Sequence, residues 1–157
     1  MMPKVVEIID RLKQTHHSIS FAESCTGGRV ASAFTAILGV SSVFNGSVVS
    51  YSNVIKHQWL GVENSIFEEF GAVSRECVEQ MLRGVAKMTK SDYAIAISGI
   101  AGPDGGSELK PVGTVYIGVL TPDTIKITHN LFDGNREDIQ TQATIRAIDM
   151  LYEQLIS

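Results

Sequence analysis

The hexapeptide Tyr93-Ala94-Ile95-Ala96-Ile97-Ser98 constrains the fold of this chain more than any other stretch. It is mostly apolar, too short for a stable helix, and lacks the polar alternation of a strand with one wet face. It reads as a strand covered on both faces of a sheet, which requires helices above and below. The rest of the chain supplies them. Val5, Ile8, Ile9 and Leu12 recur at i, i+3, i+4 and i+7, which predicts a helix over residues 4–15. Ser74 is a candidate N-cap for a helix that ends near Lys90, with Val78, Met81, Leu82, Val85 and Met88 on its apolar face. Residues 136–155 form a final helix with Ile139, Ala143, Ala147, Met150 and Leu151 facing inward.

Between these helices the pattern changes to strands. Residues 18–22 make a short strand, and Asn45-Gly46 is a turn signal before a β-rich run at residues 47–52. Residues 113–120 and 124–131 read as adjacent strands joined by a Pro122-Asp123 turn and closed by Asp133-Gly134-Asn135. A small-residue helix spans residues 29–38, and a helical segment contains Lys56 and Trp59. The predicted fold is α/β, a three-layer αβα sandwich with a mixed, mostly parallel central sheet. With 157 residues and no linker, repeat or low-complexity run, one domain over residues 1–157 is expected, large enough to bury roughly two thirds of its unfolded surface.

Charge and composition narrow the function. Thirteen Lys and Arg residues are scattered along a chain of net charge −4, so no basic stripe is available to neutralise a polynucleotide. The apolar runs fall short of the ~20 residues of a membrane helix, and the first ten residues do not read as a signal peptide. A cytoplasmic protein with neither nucleic acid nor membrane as partner is expected. Cys25 and Cys77 have no CxxC spacing, which favours reduced thiols, and the His and Cys residues never approach a metal-ligand spacing. No metal and no cofactor is expected.

In a sheet of this type ligands bind beyond the carboxyl ends of the strands, where the loops after Ala22, Ser52 and Ser98 converge. The first of these loops is Glu23-Ser24-Cys25-Thr26-Gly27-Gly28, a serine between a strand end and a helix start. Helix N-termini offer unpaired amides and a partial positive charge to an oxyanion or phosphate, although Ser, Thr and Gly are equally what a plain capping turn prefers. No histidine is placed as a base for Ser24. Lys56 is the better candidate, since a lysine buried in an apolar crevice loses its proton near neutral pH, but most lysines are solvated surface charges. Tyr51 is a candidate to support Lys56 through a phenolic hydrogen bond. Gly99-Ile100-Ala101-Gly102-Pro103-Asp104-Gly105-Gly106 is dense in residues that let amides point inward, yet it matches neither a Walker loop nor a dinucleotide fingerprint, and on its own it reads as a surface turn sooner than as an anion nest. Lys110 and Thr114 are candidate phosphate contacts beside it.

These residues, taken together, resemble the CinA C-terminal domain family, also called the nicotinamide-nucleotide amidase family. The resemblance rests on Ala22-Glu23-Ser24-Cys25-Thr26-Gly27-Gly28, on Tyr51-Ser52-Asn53 followed by Lys56, on Gly71-Ala72-Val73-Ser74, on residues 98–106, and on Pro111-Val112-Gly113-Thr114-Val115. Their order and spacing run along nearly the whole chain. The resemblance implies hydrolysis of nicotinamide mononucleotide to nicotinate mononucleotide and ammonia, a step in pyridine-nucleotide recycling, without a cofactor. It implies Ser24 as nucleophile, Lys56 as the base that later passes its proton to ammonia, Tyr51 as their orienting partner, and amides near Thr26, Gly27 and Gly28 as oxyanion donors. Glu23, Cys25, Asn53, Gly99, Ile100, Ala101, Gly102 and Arg136 would complete the substrate site. A homodimer is also implied, for which Trp59, Phe67 and Phe70 are candidate contacts. Two features depart from the family. The chain begins directly at the first helix, as in a stand-alone form, and Gln140 stands where relatives commonly carry an arginine one turn after Arg136. The second departure raises an alternative, a nucleotide-binding module with weak or no catalysis, unless Arg136 or Arg146 compensates.

Overall fold

In the computed structural model, which describes residues 1–156, the middle layer is a five-stranded sheet in the order β2-β1-β3-β4-β5. The strands are β1 (Ile19–Glu23), β2 (Phe44–Val49), β3 (Tyr93–Gly99), β4 (Thr114–Leu120) and β5 (Ile125–Leu131). β1 pairs in parallel with both β2 and β3, while β4 is antiparallel to β3 and to β5, so that only β4 runs against the common direction. The helices are α1 (Met2–Thr15), α2 (Arg29–Thr35), α3 (Asn53–Leu60), α4 (Asn64–Glu69), α5 (Arg75–Thr89) and α6 (Arg136–Ile156). This is the three-layer α/β sandwich with a mixed, mostly parallel sheet that the sequence predicts.

Along the central strands β1 and β3 the two faces of the sheet are built from residues of different size. Toward α1, α2 and α6 it presents Phe21, Ile95, Ile97, Val115, Ile117 and Val119, which pack on Val5, Ile8, Leu12, Val30, Phe34, Ile139 and Ile148. Toward α5 it presents Ala22, Ala94 and Ala96, which meet Val78, Met81, Leu82 and Val85. The alternation of small and large residues in β3 therefore lets α5 lie close to the sheet. At Gly118 an added β-carbon would come within 2.7 Å of Leu82 and 2.8 Å of Val78. The same closeness recurs between helices, where a β-carbon at Gly84 would collide with the backbone carbonyl of Leu60 at the end of α3.

Capping explains where the helices start and stop. Ser74 Oγ accepts from the Cys77 amide at 3.1 Å, and Lys90 takes a left-handed conformation, φ 54°, to end α5. Ser52 Oγ accepts from the Ile55 amide at 3.2 Å and begins α3. Four details differ from the sequence reading. Asn45 and Gly46 lie inside β2 and not in a turn, because pairing with β1 continues through them with a register shift between Ile19 and Ser20, while the Asn45 side chain bonds the Thr89 carbonyl. β2 ends at Val49, leaving residues 50–52 as a loop. The helix expected over residues 29–38 stops at Thr35, and residues 64–69 add a short helix that has no clear apolar period in the sequence.

β5 forms one lateral edge of the sheet. Midway along it the Ile127 carbonyl accepts from Arg75 Nη2 of α5 at 3.1 Å. Among the described residues no helix is long and apolar enough to cross a membrane.

Candidate active site

Ser24 directly follows β1 and is 7% exposed. Lys56, on the second turn of α3, is 2% exposed, and its Nζ donates to the Tyr51 carbonyl at 2.9 Å and to Ser24 Oγ at 3.2 Å. The early end of β2 makes this possible, since the loop it leaves turns the Tyr51 carbonyl toward α3. Burial holds Lys56 below the ordinary lysine value of 10.5, and among the described residues no carboxylate forms an ion pair with it. A lysine desolvated without a counter-ion favours the neutral amine, whose lone pair accepts the hydroxyl proton of the serine it touches.

Cys25 is the chemical rival of Ser24, since thiols are intrinsically strong nucleophiles. Its surroundings argue otherwise: it is 3% exposed within the apolar cluster under α1 and α6, and burial pushes the thiol up to about 11 from 9.0. The second cysteine, Cys77, is fully buried on α5 and is also pushed up to about 11 by burial.

The loop after Ser24 is organised by Glu23, which was expected in the substrate site and instead turns its carboxylate into the loop. Its fully buried carboxylate accepts from Thr26 Oγ1 at 2.6 Å and from the amides of Gly28, Val30 and Ala31 at 3.2, 3.1 and 2.9 Å. The unpaired amides of the α2 N-terminus are thereby satisfied within the protein. This corrects the expected oxyanion donors. The Gly28 amide is engaged by Glu23, and the Gly27 amide donates to the Ser24 carbonyl at 3.0 Å. Of the three expected, only the Thr26 amide donates to no other described residue, and the Cys25 amide beside it meets only its own thiol.

Arg136, at the start of α6, joins two of the three loops. Its Nη1 donates to the Gly102 carbonyl at 2.7 Å and its Nη2 to the Tyr51 phenol oxygen at 3.0 Å. The Tyr51 phenol therefore serves Arg136, whereas the backbone of Tyr51 serves Lys56. That corrects the expected phenolic contact with Lys56. The loop after β3 is less of an amide cradle than its composition implies: the Ile100 amide donates to Thr114, Ile100 accepts from Gly113, and Ala101 is buried in the core. Gly99 ends β3, and Gly102 turns its carbonyl, not its amide, to Arg136. Asn53 begins α3 and is exposed one turn before Lys56. Lys110 is tied to the Phe70 carbonyl and Thr114 to the Pro111 carbonyl, so neither reaches this cluster in the structure. Gln140, one turn into α6, donates from Nε2 to the Cys25 carbonyl at 3.0 Å. Arg146 pairs with Glu153 farther along α6 and does not replace it.

A serine, a desolvated lysine, a carboxylate-organised loop and an arginine strap thus converge at the carboxyl ends of β1, β2 and β3. Known proteins share both the sequence and the fold. A CinA-like protein of Fervidobacterium nodosum is 51% identical over 150 residues, which are 95% of this chain and 36% of that protein. A CinA-like protein of Thermotoga neapolitana is 42% identical over 97% of this chain and 37% of its own length. The chain thus spans about a third of the length of the curated relatives it matches. Among solved structures, the competence damage-inducible protein A of Klebsiella pneumoniae superposes with a TM-score of 0.94 at 31% identity, covering 98% of this chain and 96% of that one. The competence/damage inducible protein CihA of Agrobacterium tumefaciens gives 0.93 at 35% identity, with 97% and 93% covered. The family model of the CinA C-terminal domain matches residues 3–155, a span that contains every loop of the cluster, and the chain belongs to that family.

Proposed function

We propose that this chain hydrolyses the carboxamide of nicotinamide mononucleotide to nicotinate mononucleotide and ammonia. The observation that carries the reading is the 3.2 Å contact between Ser24 Oγ and the buried, carboxylate-free amine of Lys56. Neutral Lys56 takes the hydroxyl proton as Ser24 attacks the carboxamide carbon, and the tetrahedral oxyanion is met by backbone amides after Ser24. Lys56 then returns the proton to the departing nitrogen, which leaves as ammonia. Water attacks the acyl-enzyme, Lys56 again receiving a proton, and releases nicotinate mononucleotide with Ser24 restored. Arg136 on the rim offers a guanidinium to the substrate's phosphate. The proposed setting is the cytoplasm, and the proposed partner is a second copy of this chain meeting through half-exposed Trp59 and Phe70. Phe67, partly buried against the α5 core, has less surface to offer such a contact.

Ammonia and nicotinate mononucleotide, measured together from the purified protein, test the reading. Stoichiometric products are expected, falling at least about a hundredfold in Ser24→Ala, as for loss of a nucleophile, and comparably in Lys56→Ala. Ser24→Ala turning over at the wild-type rate removes Ser24 from the mechanism, and sensitivity confined to Cys25→Ala transfers the role to the thiol.

A further inference from the structure

Three consecutive carbonyls in the nucleophile loop are held from different directions. The Ser24 carbonyl accepts from the Gly27 amide at 3.0 Å, the Thr26 carbonyl from Arg29 Nη1 at 2.9 Å and from the Arg29 amide at 3.1 Å, and the Cys25 carbonyl from Gln140 Nε2 at 3.0 Å. The first two holds are local turns. The third comes from α6, 115 residues away in the chain. A trans peptide is planar, with its N-H pointing opposite to its C=O, so fixing a carbonyl aims the next residue's amide. The Ser24 carbonyl thereby aims the Cys25 amide, and the Cys25 carbonyl aims the Thr26 amide. Among the described residues these two amides donate to no other residue, whereas the five amides of Gly27 through Ala31 that follow are all engaged, by the Ser24 and Thr26 carbonyls or by the Glu23 carboxylate. Amides next to a nucleophile that no other residue claims are the arrangement that stabilises a developing oxyanion, and the Thr26 amide is the one left wholly open.

We propose that Gln140 is a positioning residue, whose side-chain amide sets the Cys25-Thr26 peptide so that the Thr26 N-H meets the oxyanion formed at Ser24. The proposal rests on the amidase reading above and gives Gln140 a role within it. Gln140 acts only through the peptide it holds. Its side chain is half-buried and lies outside the core, which its helix neighbours Ile139 and Ala143 pack. A glutamate of the same shape presents oxygen to the Cys25 carbonyl and repels it, whereas an arginine keeps an N-H donor at this place.

The test is steady-state kinetics with nicotinamide mononucleotide on the wild type, Gln140→Glu and Gln140→Arg, with thermal unfolding of each. Gln140→Glu is expected to lower kcat about 30-fold, less than outright loss of an oxyanion donor, with KM changed under about twofold, as for a contact made only in the transition state. Gln140→Arg is expected to recover most of that kcat. An unchanged kcat in Gln140→Glu, a KM effect alone, or a loss in proportion to unfolding overturns the proposal. A fluorophosphonate probe separates this inference from the reading beneath it: Ser24 Oγ bonds to phosphorus, fluoride leaves, and Lys56 takes the proton. If the wild type labels at Ser24 but releases no ammonia, the amidase reading falls, and slower labelling of Gln140→Glu still supports the positioning role. Equal labelling of both overturns it, and no labelling of an inactive wild type overturns both.

Discussion

In the proposed mechanism Lys56 sets catalysis and stability in opposition at a single residue. A buried amine without an acidic partner costs folding energy, and the same desolvation makes it a base. Because burial lowers its folded pKa, the unfolded chain binds the extra proton between that lowered value and the ordinary 10.5. Stability contributed by this group therefore rises with pH through that window, by up to about 1.4 kcal/mol per pH unit, and is flat below it. Urea unfolding of wild type and Lys56→Met across pH is expected to show this slope as a difference between the two proteins. The variant should be the more stable below the window, by about 1–2 kcal/mol, though inactive. The activity counterpart is a kcat/KM that rises with pH as Lys56 loses its proton and levels off below 10.5. A profile with no lysine-dependent limb removes Lys56 as the base. Ser24 and Lys56 stood out in the sequence near predicted strand ends, but only the family resemblance paired them, because a residue type carries no burial. The split use of Tyr51, by carbonyl and by phenol, was not, since a residue type says nothing about which of its groups faces inward.

At the scale of elements, Glu23 ends β1 and organises the start of α2, so one carboxylate joins a strand to a helix across the loop that holds Ser24. Glu23→Gln is expected to cost about 2–3 kcal/mol, since an amide turns an N-H toward amides that need acceptors, and chemical denaturation reads that loss. Retention of full stability would show that the four bonds do not govern the loop. The contact between α3 and α5 gives a second case. Gly84→Ala drives a methyl group into the Leu60 carbonyl and is expected to destabilise by about 3 kcal/mol, displacing α3 and with it Lys56. Thermal unfolding and activity should fall together. Hydrophobic periodicity made α1, α5 and α6 readable with ends correct to within two residues, because each has a one-sided apolar face. It failed for α4 and at Asn45-Gly46, where pairing along β1 overrides a local turn preference.

For the whole molecule, the sandwich was legible because β3 needs cover on both faces, while the asymmetry of that cover was not. Small residues under α5 and large ones under α1 and α6 make two unequal cores, and only the packed structure shows which helix comes close. Self-association is expected to use the half-exposed Trp59 and Phe70, so light scattering of Trp59→Glu should report a smaller particle than wild type. An unchanged mass removes that surface from the proposed dimer.

The Arg75 contact at the middle of β5 bears on what the protein avoids becoming. An edge strand is a template on which further strands grow, and a long free edge invites fibrils and inclusion bodies. A guanidinium seated on the Ile127 carbonyl occupies an acceptor that an incoming strand needs, and it also carries charge to the site of approach. Concentrated protein in which Arg75 is replaced by alanine should therefore be lost from solution sooner on prolonged storage, even if its fold and chemistry are intact.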